Sequence, residues 1–236
     1  MLSYYFQRAY SWLFPFACLL CGQVNKKFGL CNACQRELPW VTQGCQRCAN
    51  PVPSISALCG KCLQKPPPYA QIAALFYYQP PIDYLLTSLK FGSSLLYARF
   101  FGELLAEKLQ ERYADQTKPE LIIPMPLHAQ RLQERGFNQA LELSRPLAKS
   151  LAIPLSLKHC HRVLATQPQS RISALARQRN VRNAFAVVEA IDAKYVAIVD
   201  DIVTTGSTVA ALAKVLRQAG VVKIDLWCCA RAVYRT

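Results

Sequence analysis

The stretch that decides the fold spans residues 195–209 and has the sequence YVAIVDDIVTTGSTV. Its first five residues are apolar or aromatic, which is typical of a strand buried on both faces of a parallel sheet. Two carboxylates follow, then hydroxyl residues around a glycine, and residues 209–218 are rich in helix-forming residues. The stretch therefore predicts a buried strand, a short loop and the first turn of a helix.

The predicted loop has the composition of an anion-binding site. The first N–H groups of a helix have no partner inside it, and the helix dipole favours an anion there. A glycine lets backbone approach a phosphate, and hydroxyls add donors. The adjacent carboxylates would accept hydrogen bonds from sugar hydroxyls, with Mg²⁺ offsetting their charge. An ordinary helix cap is the alternative, but it needs only one such residue. The candidate residues are Asp200, Asp201, Thr204, Thr205, Gly206, Ser207 and Thr208.

Composition indicates a globular protein with a polyanionic partner. The 236 residues carry a net charge of +14, and 52% of them are hydrophobic. Such an excess of positive charge suits nucleic acid, an anionic membrane surface or a pyrophosphate. The apolar segment at residues 12–20 is too short to span a bilayer and lacks the features of a secretory signal. We therefore expect no transmembrane segment and a cytoplasmic protein, with the inner membrane face as an alternative location.

Eight of the eleven cysteines form four C-x-x-C pairs near the N-terminus. Two such pairs supply the four thiolates of a closed tetrahedral zinc site, so we expect two structural zinc ions. Redox-active dithiols and an iron–sulfur cluster are the alternatives. Sequential pairing is favoured because it closes the shorter loops, although interleaved pairing stays open. The predicted ligands are Cys18, Cys21, Cys31, Cys34, Cys45, Cys48, Cys59 and Cys62.

The remaining chain predicts an α/β domain. A stiff K-P-P-P-Y linker at residues 65–69 separates an N-terminal helix and double zinc module, residues 1–65, from a domain at residues 66–236. Strands predicted at 72–78, 121–123, 185–188, 195–199 and 224–230 alternate with helices, which favours a mostly parallel sheet flanked by helices. We expect one of these helices to begin near Phe137 and to end at Pro146.

Two basic regions follow predicted strands. Arg131 and Arg135 lie in the loop after residues 121–123, where guanidiniums would match the oxygens of a pyrophosphate. A solvated basic turn is the alternative there. Residues 158–188 contain six Lys and Arg and no acid. This region predicts either a flap that closes over the ligand or a surface for a nucleic-acid backbone. The predicted nucleic-acid-binding residues are Arg162, Arg171, Arg177, Arg179 and Arg182.

The motifs together resemble a known family. VAIVDDIVTTGST at residues 196–208 resembles the 5-phosphoribosyl-1-pyrophosphate (PRPP) motif of type I phosphoribosyltransferases. The resemblance implies that Asp200 and Asp201 hold the ribose hydroxyls and that residues 204–208 hold the 5′-phosphate. A cysteine-rich N-terminus, R-L-x-x-R-G-F-N-Q, R-x-x-x-T-x-x-Q and R-x-x-N-x-x-x-A-F are also present, and this combination is similar to the ComF family. These motifs fall on residues 131–139, 162–169 and 177–185.

The resemblance carries expectations about function. It implies a type I phosphoribosyltransferase-like sheet, PRPP bound with Mg²⁺, and a role in natural competence through handling incoming single-stranded DNA. Other DNA-uptake proteins are further candidate partners. The alternative is an active phosphoribosyltransferase that transfers phosphoribosyl from PRPP to an unknown acceptor, in a metabolic or salvage role, and releases pyrophosphate. We identify no catalytic residue and no nucleobase pocket in the sequence.

Overall fold

The computed structural model describes residues 16–25, 29–53, 58–91, 95–164 and 184–233. Its strands and helices, in chain order, are β1 (Phe16–Ala17), β2 (Val24–Asn25), α1 (Asn32–Arg36), α2 (Gly60–Gln64), β3 (Gln71–Tyr77), α3 (Ile82–Phe91), α4 (Leu95–Arg112), β4 (Leu121–Pro124), α5 (Ala129–Arg135), α6 (Gln139–Leu151), β5 (Cys160–Arg162), β6 (Phe185–Val187), β7 (Tyr195–Val203), α7 (Ser207–Gln218) and β8 (Lys223–Arg231).

The chain forms two compact units, Met1–Pro39 and Trp40–Thr236. The first contains β1 and β2, which pair antiparallel, and the short helix α1. The predicted N-terminal helix lies outside the described residues, as do four of the predicted nucleic-acid-binding arginines, Arg171, Arg177, Arg179 and Arg182.

The second unit is built on a four-stranded sheet in the order β3-β8-β7-β4, with every neighbouring pair parallel. The prediction of a mostly parallel sheet flanked by helices is confirmed. Strand β7 is buried along residues 195–199, and β8 is buried from Ile224 to its end, as expected for strands covered on both faces. Because the strands run the same way, their carboxyl ends meet at one edge of the sheet.

Two predicted strands differ from the observed ones. Strand β7 continues through Asp200 and Asp201 to Val203, because residues 200–203 keep pairing with β8 as far as Arg231. The strand β6 does not join the main sheet but pairs antiparallel with β5 in a separate two-stranded sheet. Local sequence could not distinguish the two sheets, because both contain short apolar strands.

The helix α6 continues through Pro146, where the sequence predicted its end. Asn138 caps its start by accepting hydrogen bonds from the N–H groups of Ala140 and Leu141, at 3.0 and 3.4 Å. Pro146 packs against Gly102 of α4, so closely that a Cβ on this glycine would lie 2.3 Å from the proline Cγ. Tertiary packing therefore outweighs the hydrogen bond that proline removes from the helix.

A buried carboxylate joins the elements at the amino-terminal edge of the sheet. Asp225 is fully buried, and its Oδ2 accepts hydrogen bonds from Gln71 Nε2 at 2.7 Å, Tyr113 OH at 2.5 Å and Tyr195 OH at 2.6 Å. The Trp227 indole N–H donates to the Tyr113 hydroxyl at 3.1 Å. This network links strands β3, β7 and β8 to the residue that follows α4, at the edge opposite the strand ends that carry the predicted ligand loops.

The segment before β3 is part of the same compact unit as the sheet. The Val41 N–H donates to Leu75 O at 2.9 Å, and the Ile72 N–H donates to Gln46 O at 3.2 Å. The cysteines between residues 45 and 62 therefore belong to the unit that contains the sheet. The division of the chain at residue 65 stays a prediction about sequence modules. Among the described residues, no helix has both the length and the apolar character needed to cross a membrane.

Candidate functional site

The phosphate loop, which we define as residues 204–208, connects the end of β7 to the start of α7. Gly206 has a φ of +75° and stands at the N-cap of α7, so no side chain caps the helix. The Thr205 Oγ1 lies 2.8 Å from the Ser207 Oγ and accepts the Ser207 N–H at 3.2 Å. Apart from its two chain neighbours, no described residue has an atom within 4 Å of a Cβ built on Gly206, so this part of the structure leaves the loop open. This is the form of a small anion cradle.

Asp200 and Asp201 stand at the carboxyl end of β7, immediately before this loop. Each uses one carboxylate oxygen to accept the N–H of the residue that follows it. The Asp201 N–H donates to Asp200 Oδ1 at 3.0 Å, and the Ile202 N–H donates to Asp201 Oδ1 at 2.7 Å. These bonds fix both side chains at the strand end.

Lys90 is the direct partner of the acid pair. Its Nζ lies 3.0 Å from Asp201 Oδ2. Burial raises the pKa of Asp200 to about 8, and the charge of Asp201 adds to this, while Lys90 acts in the opposite direction. Asp200 is nevertheless partly exposed to solvent. An acid pair at a strand end with a shifted pKa and one ammonium partner is typical of a ligand site.

The predicted pyrophosphate-binding arginines lie on the helix α5, which follows β4, and not in a loop as the sequence predicted. Because β4 pairs in parallel with β7, with Pro124 opposite Val199, the two ligand loops leave the same edge of the sheet. Arg135 Nη1 donates to Gln139 Oε1 at 3.0 Å. Burial lowers the pKa of Arg135, Arg131 lowers it further and Asp201 raises it. Arg135 therefore lies within electrostatic reach of both Arg131 and Asp201.

Arg162, predicted from sequence to bind nucleic acid, lies on β5 in the same neighbourhood. Its Cζ lies 5.6 Å from the centroid of the Phe185 ring. Burial lowers the pKa of Arg162, the charge of Arg131 lowers it further and the charge of Asp200 raises it. Arg162 therefore lies within electrostatic reach of Arg131 and of Asp200. Its assignment to nucleic acid stays a prediction.

Two residues at this site were missed by the sequence analysis. Lys90 is far from β7 in sequence, and its only local signal was a lysine in the last turn of a helix before Gly92. Arg231 ends β8, and its guanidinium donates to the Val203 O at 3.0 Å and to the Thr204 O. A charged residue at the carboxyl end of the apolar run at residues 226–230 was the available signal for it.

The eight paired cysteines form two clusters, each with its four sulfurs within 4.8 Å of one another. The grouping is sequential, with Cys18, Cys21, Cys31 and Cys34 in one cluster and Cys45, Cys48, Cys59 and Cys62 in the other. Zinc–sulfur distances of about 2.3 Å in a tetrahedron place sulfurs about 3.8 Å apart. The separations of 3.8 Å between Cys21 and Cys31 and 3.5 Å between Cys48 and Cys59 agree with this.

Both clusters stabilise a thiolate in the same way. The Cys31 N–H points to Cys18 Sγ at 3.4 Å, and the Cys59 N–H points to Cys45 Sγ at 3.3 Å. Burial opposes ionisation, but backbone hydrogen bonds outweigh it and lower the pKa of Cys18 to about 6 and that of Cys45 to about 7. Four thiols with this geometry and no open ligand position fit structural zinc.

A family-level comparison identifies the N-terminal region. Residues 9–63 match the double zinc ribbon domain. This span includes all eight cysteines of the two clusters, so the clusters are the two zinc-binding sites of this domain.

Several relatives match nearly the whole chain. DNA utilization protein YhgH of Salmonella typhi is 35% identical over 223 residues, which cover 93% of this chain and 98% of that protein. Competence protein F of Haemophilus influenzae is 34% identical over 226 residues, with the same coverage of 93% and 98%. YhgH of Escherichia coli K12 is 34% identical over 225 residues, again covering 93% and 98%.

Two solved structures resemble the chain weakly. The glutamine PRPP amidotransferase of B. subtilis, complexed with ADP and GMP, has a TM-score of 0.39 and 17% identity, covering 61% of this chain and 30% of that one. A purine phosphoribosyltransferase of Pyrococcus horikoshii has a TM-score of 0.31 and 20% identity, covering 68% and 78%. The fold class follows from the four-stranded parallel sheet and the helices that flank it.

Proposed function

The chain belongs to the ComF family, the family of competence protein F and DNA utilization protein YhgH, and we propose that it binds PRPP while handling incoming single-stranded DNA. The observation that carries the PRPP part is the edge of the sheet at which β7 ends. The phosphate loop and two carboxylates lie at this edge, α5 with Arg131 and Arg135 follows the adjacent strand β4, and Arg162 lies within electrostatic reach of Arg131. This set suits a ligand with a phosphate, free hydroxyls and a pyrophosphate.

Each group has a distinct task in the proposed complex. The first-turn N–H groups and the hydroxyls of the phosphate loop bind the 5′-phosphate. Asp200 and Asp201 accept hydrogen bonds from the two ribose hydroxyls. Arg131 and Arg135 bind the pyrophosphate, because planar guanidiniums donate pairs of hydrogen bonds to its oxygens. Arg162 was predicted from sequence to bind nucleic acid, but its position near Arg131 leads us to assign it to the pyrophosphate as well.

The acid pair also fits a divalent cation. Carboxylate oxygens are the hard donors that Mg²⁺ prefers, and Asp200 and Asp201 present them beside the proposed pyrophosphate. Mg²⁺ bound with PRPP would supply charge neutralisation between the carboxylates and the pyrophosphate. The ammonium of Lys90, 3.0 Å from Asp201 Oδ2, already offsets part of the negative charge of the pair.

Calorimetry with PRPP and Mg²⁺ tests this part of the proposal. We expect heat of binding with the unmodified chain and a loss of affinity of about 100-fold or more in the double variant D200N/D201N, since two hydrogen-bonded carboxylates are removed. The matched control is D192N, which neutralises an exposed carboxylate on the loop before β7. Absence of heat with the unmodified chain contradicts the proposal, as does full affinity in the double variant.

The DNA part of the proposal rests on two observations. The three relatives are named for competence or for DNA utilization. The chain also carries a net charge of +14, which suits a phosphate backbone. The arginines at residues 171–182 are the proposed contacts, and the zinc module contributes further exposed cations at Arg36, Lys61 and Lys65.

Fluorescence anisotropy with a labelled single-stranded oligonucleotide tests this part across a salt series. Each lost phosphate contact reduces the slope of log K against log salt by about 0.7 for a single strand. We therefore expect R177Q/R179Q to reduce the slope by about 1.4. The control R99Q/R145Q removes the same charge from two exposed arginines that pair with Glu103 and Glu142 on their own helices. Equal slopes for both variants contradict the proposed contacts.

The guanidinium cluster favours phosphoribosyl transfer as a second candidate function. Arg131, Arg135 and Arg162 would stabilise the charge that develops on pyrophosphate as it leaves C1 of the ribose. A pyrophosphate-release assay with PRPP, Mg²⁺ and candidate acceptors separates the two functions. Release that depends on an acceptor supports the enzyme, whereas tight PRPP binding without release supports a binding role alone.

A further inference from the structure

Arg231 is a buried arginine whose guanidinium donates to backbone carbonyl groups of other segments and of its own neighbour. It is 5% exposed and ends β8 at the carboxyl edge of the sheet. Its Nη1 donates to Val203 O at 3.0 Å, to Ala232 O at 2.6 Å and to Thr204 O. Its Nε donates to Cys48 O at 2.7 Å.

These acceptors connect two parts of the molecule that carry proposed or established ligand sites. Val203 is the last residue of β7, and Thr204 is the first residue of the phosphate loop. Cys48 belongs to the second cysteine cluster, where its carbonyl group stays free of the metal because cysteine binds zinc through sulfur. One guanidinium therefore fastens the start of the phosphate loop to the backbone of a zinc site.

The chemistry of the position requires an arginine. Burying a cationic group is costly unless its donors are satisfied, and here they meet carbonyl oxygens from three separate segments. Only a guanidinium offers several donors in a fixed plane, whereas the ammonium of lysine is a point charge on a flexible stem. Its positive charge also lies beside the loop that is proposed to hold a phosphate dianion.

We propose that Arg231 is a positioning residue for phosphate binding, which holds the start of the phosphate loop in place by anchoring it on the second cysteine cluster. The proposal rests on the proposed PRPP site. Holding Thr204 fixes the backbone from which the Thr205 hydroxyl and the first N–H groups of α7 are presented. A preorganised loop binds phosphate without first losing conformational freedom. Arg231 should therefore affect the affinity for the 5′-phosphate and not the affinity for the pyrophosphate.

The location of Arg231 predicts a selective defect. The proposed pyrophosphate contacts come from α5 and β5, whereas the guanidinium of Arg231 donates to the backbone of Cys48, Val203, Thr204 and Ala232. Loss of Arg231 should therefore weaken the binding of ribose 5-phosphate and spare the binding of inorganic pyrophosphate. A general loss of folding would weaken both ligands together, so the difference between them separates positioning from structural support.

Calorimetry on the full chain with ribose 5-phosphate and with pyrophosphate, each with Mg²⁺, tests the proposal. We expect R231Q to lose about tenfold or more in affinity for ribose 5-phosphate, the size of a lost charge-assisted hydrogen bond. Its affinity for pyrophosphate should change by less than about twofold. R231K, which keeps the charge but not the fork of donors, should recover part of the lost affinity.

The matched control is R217Q. Arg217 is also bonded to carbonyl groups, those of Pro68 at 3.2 Å and Val222 at 3.1 Å, but it lies at the far end of α7 from the phosphate loop. It should keep both affinities.

The outcomes distinguish a failure of the role of Arg231 from a failure of the proposed PRPP site. If the unmodified chain binds PRPP but R231Q binds ribose 5-phosphate as tightly as the unmodified chain does, the role of Arg231 is wrong and the PRPP site stands. Equal losses for both ligands likewise overturn positioning in favour of structural support. If the unmodified chain binds neither PRPP nor ribose 5-phosphate, the proposed site itself fails. If R231Q does not fold, the affinities of R231K for ribose 5-phosphate and for pyrophosphate decide. A loss of affinity for ribose 5-phosphate alone supports positioning, whereas an equal loss for both ligands, or no loss, overturns it.

Discussion

Asp200 is a residue whose protonated form favours folding, whereas its ionised form favours the proposed binding of a ribose hydroxyl. Burial, reinforced by the charge of Asp201, raises the pKa of its carboxyl group to about 8. The folded state therefore binds a proton more tightly than the unfolded state, whose carboxyl has a pKa of about 3.9. The sign follows from linkage: this stabilising contribution is complete below about pH 4 and is lost as the pH rises toward about 8.

We expect D200N to be more stable than the unmodified chain at pH 8, by about 1 kcal/mol, because a neutral amide avoids the cost of ionising an enclosed carboxyl group. The amide oxygen can still accept the N–H of Asp201, which Asp200 Oδ1 accepts at 3.0 Å. Urea denaturation at pH 5 and pH 8 measures the difference, which should be larger at pH 8. A variant that is equally stable, or less stable, at pH 8 contradicts the raised pKa.

Lys90 supplies a second prediction at the level of single residues. Its charge acts against burial and against Asp201 in setting the pKa of Asp200. Since an ionised Asp200 is the better acceptor for a ribose hydroxyl, affinity for ribose 5-phosphate should rise as the pH passes through about 8. Removing the ammonium in K90M should raise the pKa of Asp200 further and move this rise to higher pH by about 1 unit.

Calorimetric titrations between pH 6 and pH 9 measure this shift. The control K214M removes the same charge from an exposed lysine on α7, and its profile should match that of the unmodified chain. If K90M and K214M give the same profile, Lys90 has no part in tuning the acid pair.

Among the secondary-structure elements, β7 shows how much of the fold the sequence could predict. Its apolar run, its parallel neighbours and the helix after the glycine were all indicated by residues 195–209, because a doubly buried strand has a distinctive composition. Its last four residues were not predicted. Two adjacent carboxylates indicate the end of a strand locally, yet the ladder with β8 continues to Val203 and Arg231. The pairing partner, which is absent from local sequence, decides where such a strand ends.

The contact between α4 and α6 gives a prediction at the same level. A Cβ on Gly102 would lie 2.3 Å from Pro146 Cγ and 2.8 Å from Leu143 O, and the second of these is backbone that cannot move aside. We expect G102A to destabilise the fold by about 1–3 kcal/mol, the usual cost of overpacking, although alanine has the higher helix propensity. The control is G60A, since a Cβ there would lie more than 4 Å from every residue in the described part of the chain apart from its chain neighbours and its own helix.

Thermal or chemical denaturation measures both glycine variants. Stability equal to that of the unmodified chain in G102A would mean that α4 and α6 are not packed as closely as the structure has them. A loss of stability in G60A of the same size would remove the distinction between the two glycines.

For the molecule as a whole, the candidate site was predictable only in part. The phosphate loop, the acid pair and the two arginines of α5 lie in compact motifs, and the structure brings them to one edge of the sheet. Lys90 and Arg231 reach the same edge from α3 and from the end of β8, and each is one cation among 28 Lys and Arg residues. Their roles come from the order of strands and the packing of helices, so no local pattern could identify them.

The two zinc sites should differ in what they support, because they belong to different compact units. The second cluster lies in the unit of the sheet, where Cys48 O accepts a hydrogen bond from Arg231 and Cys45, Cys48 and Cys62 are buried. A structural zinc ion contributes folding free energy to the segment that binds it. We therefore expect C62S to lower the Tm of the main unfolding transition by about 5 °C or more, the effect of roughly 2 kcal/mol in a domain of this size.

C34S is the matched variant, because Cys34 belongs to the cluster of the other unit, Met1–Pro39. Both substitutions replace one thiolate by a hydroxyl group, and each should reduce the bound zinc from two ions to about one per chain. Differential scanning calorimetry combined with zinc analysis measures the two effects on the same samples. C34S should leave the main transition within about 2 °C of the unmodified chain. If C34S and C62S lower the main transition equally, the second cluster has no special part in stabilising the sheet, and its bond to Arg231 contributes little to folding.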